Sequence, residues 1–201
     1  MPVRLVQSRA AAGDPARARK SNAHQRSPAA SAPATRLVET RKLALHSWRV
    51  RCVAFSSDGG VIASASSDKS IGIWRSSDGA LMHQLAGHTG EVHCVGFIAG
   101  GTQLISGSAD KSIRLWDAST SGGASHVLEA AHAKEVSSLA ARGASCIASG
   151  SADKTVKLWA VSNSSGSLTE LSTLRGHTDA VTGTPAAPPP QTRGSVPSPP
   201  F

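Results

Sequence analysis

The sequence predicts an all-β fold of about three four-stranded antiparallel sheets laid one after another, and three observations predict it. A unit of about 43 residues occurs three times and begins a fourth. Ile62–Trp74, Leu104–Trp116 and Ile147–Trp159 align residue for residue, and the Asp68-to-Asp110 and Asp110-to-Asp153 steps are 42 and 43 residues. Self-similarity at this period marks an architecture whose repeated piece is one supersecondary unit. Inside each unit, short apolar segments alternate with Gly-, Ser- and Asp-rich turns, which is the pattern of strands joined by tight connections. The segments are mostly uncharged on both faces, as in sheets covered on both sides.

A short strand is expected at Leu37–Leu45, ending before His46. The first full unit reads Val50–Phe55, Val61–Ser66, Ile71–Trp74 and Ala80–Leu85. Its turns are Ser56–Gly60, where glycine tolerates positive φ, the tight Ser67-Asp68-Lys69 connection, and Ser76–Gly79. The second unit reads Val92–Phe97, Gln103–Ser108, Ser112–Trp116 and Ser125–Glu129; the third reads Val136–Ala141, Ser145–Ser151, Thr155–Trp159 and Leu168–Leu174. A fourth opens at Arg175–Val181 and stops. Seven prolines between Pro185 and Pro200 follow, and proline cannot donate into a central ladder.

Charge is unevenly spread. The formal net charge is +8, yet residues 1–42 hold nine of the 21 Lys and Arg against Asp14 and Glu39 alone, so the repeats are nearly neutral. Neutral repeats argue against a nucleic-acid groove in the folded part. Residues 1–36 lack apolar periodicity and read as a disordered basic leader; residues 183–201 read as a Pro-rich disordered tail. Three roles for the leader stay open: a solvated tail, an Arg- and Ser-rich transit peptide for organelle import, and a basic arm for nucleic acid.

Cys52, Cys94 and Cys146 form no CxxC pair, which suits a reducing intracellular compartment (cytoplasm or nucleus) better than a disulfide framework. No stretch approaches the ~20 apolar residues of a membrane span. The leader also lacks the apolar centre of a secretory signal.

Each unit carries a His before its first strand, a Ser in its second, an Asp in the tight turn and a Trp in its third. The quartets are His46/Ser64/Asp68/Trp74, His88/Ser106/Asp110/Trp116 and His132/Ser149/Asp153/Trp159, with His-to-Asp spacings of 22, 22 and 21. On these residues, over about 43–182, the chain resembles the WD-repeat β-propeller family. The resemblance implies a partial β-propeller over 37–182, with repeats near 46–87, 88–131 and 132–176 and the start of another at 177–182. It also implies that each quartet forms a structural hydrogen-bond tetrad within a blade, giving partners to a buried imidazole and indole. The chain departs from the family pattern in places. Trp-Asp occurs only at Trp116-Asp117, and Leu45 and Ala131 stand where Gly87 and Gly176 precede a histidine.

A hydrolase reading of Ser, His and Asp is set aside: an enzyme needs one triad, and this constellation recurs at a fixed period without a nucleophile elbow. No catalytic, cofactor-binding or metal-binding residue is expected. His93 and Cys94 adjoin on one strand and so point to opposite faces, and Cys52 and Cys94 read as small buried hydrophobes. Gly59-Gly60, Gly100-Gly101 and Gly122-Gly123 belong to turns and make no phosphate loop.

The resemblance implies a non-enzymatic scaffold that binds proteins or peptides on the face formed by the loops of the inner strands. Trp48, Arg49, Arg51, Glu91, His93, Lys134 and Glu135 are the candidates there, and each also fits a solvated rim or an inter-blade contact. A blade needs neighbours on both sides, and rings close with four to eight. Three blades leave two broad apolar faces open, a loss comparable with the stability of a whole domain. The expectation is a fragment of a larger propeller protein, or else self-association of two copies through the open faces. A nucleic-acid-associated protein working through its leader and a truncated non-functional product are the alternatives.

Overall fold

The computed structural model describes residues 3–9, 36–98, 102–162 and 167–183. It divides into two compact units, Pro2–Ala44 and Leu45–Phe201. The smaller is a two-stranded antiparallel sheet of β1 (Val3–Arg9) and β2 (Arg36–Leu43), with Val3 opposite Leu43 and Arg9 opposite Arg36. This corrects the reading of the leader. Residues 3–9, taken as structureless, are a strand, and the strand expected at Leu37–Leu45 ends at Leu43. Val3, Leu5 and Val6 are too brief an apolar signal to mark a strand, and pairing with a distant segment leaves no local trace. The disorder expected over residues 10–35 and 184–201 lies outside the described residues.

The larger unit holds three four-stranded antiparallel sheets in chain order. The first is β3 (Val50–Phe55), β4 (Val61–Ser66), β5 (Ser70–Arg75) and β6 (Leu81–Ala86). The second is β7 (Val92–Phe97), β8 (Gln103–Ser108), β9 (Ile113–Asp117) and β10 (His126–Leu128). The third is β11 (Val136–Arg142), β12 (Cys146–Ser151), β13 (Val156–Val161) and β14 (Leu168–Leu174). Strand ends differ from the sequence expectation by one or two residues at most, the usual scatter of element ends. The fold is all-β, with each strand paired to its neighbour in sequence.

Small residues let successive sheets approach. In β4 and β8 every residue after the first is buried, and Ala63, Ala65, Ser64, Ser106 and Gly107 fill their middles. One apolar cluster joins the first sheet to the second, with Ala63, Ala65, Ile71 and Ile73 against Val92, Val95 and Leu104. A second cluster joins the second sheet to the third, with Cys94, Ile105, Ile113 and Leu115 against Val136, Ile147 and Trp159.

Each seam is keyed by a valine knob. Val136 sits so closely over the second sheet that a Cβ on Gly107 would stand 2.6 Å from Val136 Cγ1 and 2.8 Å from Cys94 Sγ. Val181 repeats the arrangement over the third sheet: a Cβ on Gly150 would stand 2.6 Å from both Val181 Cγ1 and Ser138 Oγ. The Val181 N–H also donates to the Ser151 carbonyl at 3.0 Å. The opening of the fourth repeat therefore docks as a blade start would, although no described residue after Leu174 is in a strand. At the other end of the stack, Val53 and Phe55 of β3 are 51% and 56% exposed, whereas Val95, at Val53's place in β7, is 5% exposed against the first sheet. Among the described residues no helix is long and apolar enough to cross a membrane.

Candidate functional site

The structure brings each predicted quartet together. In the first sheet the His46 Nδ1–H donates to Asp68 Oδ2 at 3.0 Å. His46 Nε2 accepts from the Ser64 hydroxyl at 2.8 Å, and Ser64 Oγ accepts from Trp74 Nε1–H at 2.9 Å. The direction follows from the ends of the chain, since an indole nitrogen only donates and a carboxylate only accepts. The corresponding distances are 2.8, 2.7 and 2.8 Å around His88, and 2.9, 2.7 and 2.8 Å around His132.

Each Asp closes its turn as well. Asp68 Oδ2 accepts from the Ser47 N–H, while Oδ1 accepts from the N–H and hydroxyl of Ser70. Thr89 with Ser112 and Ala133 with Thr155 repeat the pattern at Asp110 and Asp153. Ser70, Ser112 and Thr155 are thus fifth members of the network. Their constant place two residues after each Asp was the signal for them. The residue between, Lys69, Lys111 or Lys154, takes φ 70 in all three turns.

Electrostatics match this arrangement. Burial holds the His88 and His132 imidazoles below the ordinary histidine range, against the opposing pull of Asp110 and Asp153. Burial alone would raise the Asp68, Asp110 and Asp153 carboxyls. Hydrogen bonds from Ser70, Ser112 or Thr155 and from the paired imidazole outweigh it, and all three stay below the usual carboxylate range. Neutral imidazole beside carboxylate is the state that the donor chain requires. Ser64, Ser106 and Ser149 are wholly buried, and each Oγ is already engaged by an indole, so none of them faces a substrate. Burial pushes the Cys94 thiol up, as suits a packed residue.

The predicted partner-facing residues lie where the first strand of each sheet begins, beside the turns of the αL lysines. Trp48 is 66% exposed and, with Ser47, Ser67, Asp68, Lys69 and Glu91, lines an open recess. Lys134 and Glu135 line a second with Lys111. Arg49 is exposed.

Four of these residues form pairs across seams, which sequence reasoning did not assign. Arg51 Nη2 donates to Glu91 Oε2 at 2.6 Å, and Ser67 binds both side chains. Arg51 and Ser67 hold the Glu91 carboxylate below its ordinary range. One seam further on, His93 Nε2 lies 3.5 Å from Glu135 Oε2. Among the described residues no three His, Cys, Asp or Glu side chains are gathered as a metal site.

The family model described as WD domain, G-beta repeat matches residues 37–75, 79–117 and 124–160. The second match spans β6 to β9 and the third β10 to β13, so these two repeats each begin in the last strand of one four-stranded sheet and end in the third strand of the next. No curated protein matches the chain. Among solved structures, U3-55K and the WD40 repeats of RRP9 each match at 32% identity with a TM-score of 0.63, covering 70% of this chain. The matched part spans 43% of each of those chains. With three matched repeats covering more than half its length, the chain belongs to the WD-repeat family.

Proposed function

We propose that this chain is a non-catalytic WD-repeat scaffold that presents protein- or peptide-binding side chains at the strand-start end of its blades, as a subunit or piece of a larger complex. The observation that carries this reading is Trp48, a large indole left 66% exposed in a recess flanked by Lys69 and Glu91. Exposed aromatics beside charged groups are the usual anchors of protein interfaces. Non-catalytic duty is supported by the burial of all three quartet serines. Three free cysteines support an intracellular location, cytoplasm or nucleus. The nucleic-acid reading rests on the basic leader, of which residues 10–35 lie outside the described residues.

Trp48→Ala tests the reading. The variant keeps its urea midpoint and loses at least tenfold in affinity for a partner captured by the wild-type chain from native extract. Equal affinity with Trp48 removed defeats the assignment of this face. Loss of all binding on deleting residues 1–35, with steep salt dependence, would favour the leader instead.

A further inference from the structure

We propose that His93 and Glu135 form a pH-sensitive latch, which tightens the seam between the second and third sheets when His93 is protonated. The argument begins with equivalence. Arg51 in β3 and His93 in β7 occupy the same place in their strands, and Glu91 and Glu135 each stand immediately before the valine knob of the following sheet. At the first seam the pair is permanent, because Arg51 is charged at any ordinary pH and meets Glu91 at 2.6 Å. At the second seam the cation is replaced by an imidazole. Where the next pair would fall, Ser137 donates its hydroxyl to the Val181 carbonyl, and no ionisable group takes part.

His93 Nε2 is buried, makes no hydrogen bond among the described residues, and lies 3.5 Å from Glu135 Oε2. Protonated, the ring would carry an N–H and a positive charge at this carboxylate, as Arg51 does at the neighbouring seam. A buried polar atom without a partner is costly; a ring N–H at Nε2 can donate to Glu135, and protonation adds the positive charge that Arg51 supplies at the first seam.

β3, β4, β8 and β11 pack against β7. β3 contributes Arg51, which is held by Glu91; Glu91 itself faces His93 from the start of β7. β4 and β8 carry no charged residue, and β11 carries only Arg142, at its far end beside Cys146. Two carboxylates therefore face the ring; Arg51 is paired with Glu91, and Lys111 and Lys134 line the recess beside Glu135. An ion pair that needs a charged imidazole contributes at low pH and fades as pH rises.

The test is a double-mutant cycle on the full chain, with His93→Gln, Glu135→Gln and both together, followed by urea unfolding at pH 8 and pH 5.5. The cycle isolates the pair from other titrating groups. The coupling, read as its factor in the folding equilibrium constant, rises at least threefold from pH 8 to pH 5.5. The Arg51/Glu91 cycle, run alongside, stays level between the two. His93→Arg, a variant that keeps a cation at the seam, holds the low-pH coupling to Glu135 at both pH values. A His93/Glu135 coupling that does not grow as pH falls overturns the latch, as does a His93→Arg variant uncoupled from Glu135.

Discussion

Gly72 lies under Leu45: a Cβ added to Gly72 would stand 2.9 Å from Leu45 Cδ2, and 2.8 and 2.9 Å from Trp74 Nε1 and Ser64 Oγ. The matching pair in the second sheet is reversed in size. There a Cβ on Gly87 would stand 2.9 Å from Nη1 of Arg114, the residue at Gly72's place. The third sheet has Ala131 and Lys157 at these positions. Bulk before the tetrad histidine is exchanged for bulk on the third strand, so Leu45 is accommodated where the family pattern has glycine.

This exchange predicts a coupling. Gly72→Ala destabilises by about 1–3 kcal/mol through overpacking. Leu45→Ala in the same chain recovers part of that loss, with a coupling above ~0.5 kcal/mol in a urea-unfolding cycle. Simple additivity of the two changes would contradict the packing account.

The seams predict a second steric effect. Gly107→Ala pushes a methyl against Val136 and Cys94, and urea unfolding should show a loss of about 1–3 kcal/mol. Val136→Ala opens the notch, so the added methyl is better tolerated in that background. The first sheet already has Ala65 at this place, packed with Val92, so the seam admits a methyl only where the backbones are set for it.

The tetrads predict the course of stability with pH. His88 and His132 are held neutral in the folded chain, so the unfolded chain takes up protons first as pH falls. Stability is therefore complete above the ordinary histidine range and declines below it. It declines again below the ordinary aspartate range, where the unfolded chain protonates before Asp68, Asp110 and Asp153 do. Urea midpoints between pH 8 and pH 3 give the curve. Asp110→Asn lowers stability by about 1–3 kcal/mol at neutral pH and flattens its acid limb.

Much of this was legible in the sequence because the repeat writes each blade three times. His88, Ser106, Asp110 and Trp116 were recognisable by comparison with their counterparts, and the geometry then joined them. β1 was hidden for the opposite reason: it is a single brief segment with no counterpart, paired with a strand far along the chain. Arg51, Glu91, His93 and Glu135 were read singly, as partner-facing candidates that also fit a solvated rim or an inter-blade contact; their pairing was not legible, because which side chains meet across a seam depends on how sheets stack. Leu45 stood out as a departure, and only the space above Gly72 explained it.

The most direct measurement is urea unfolding of Ser64→Ala, Ser106→Ala and Ser149→Ala. Each change strips a buried indole N–H and a buried imidazole nitrogen of their shared partner. Each variant should lose about 1–3 kcal/mol, with the loss recurring in all three sheets. Wild-type stability in all three variants would contradict the account.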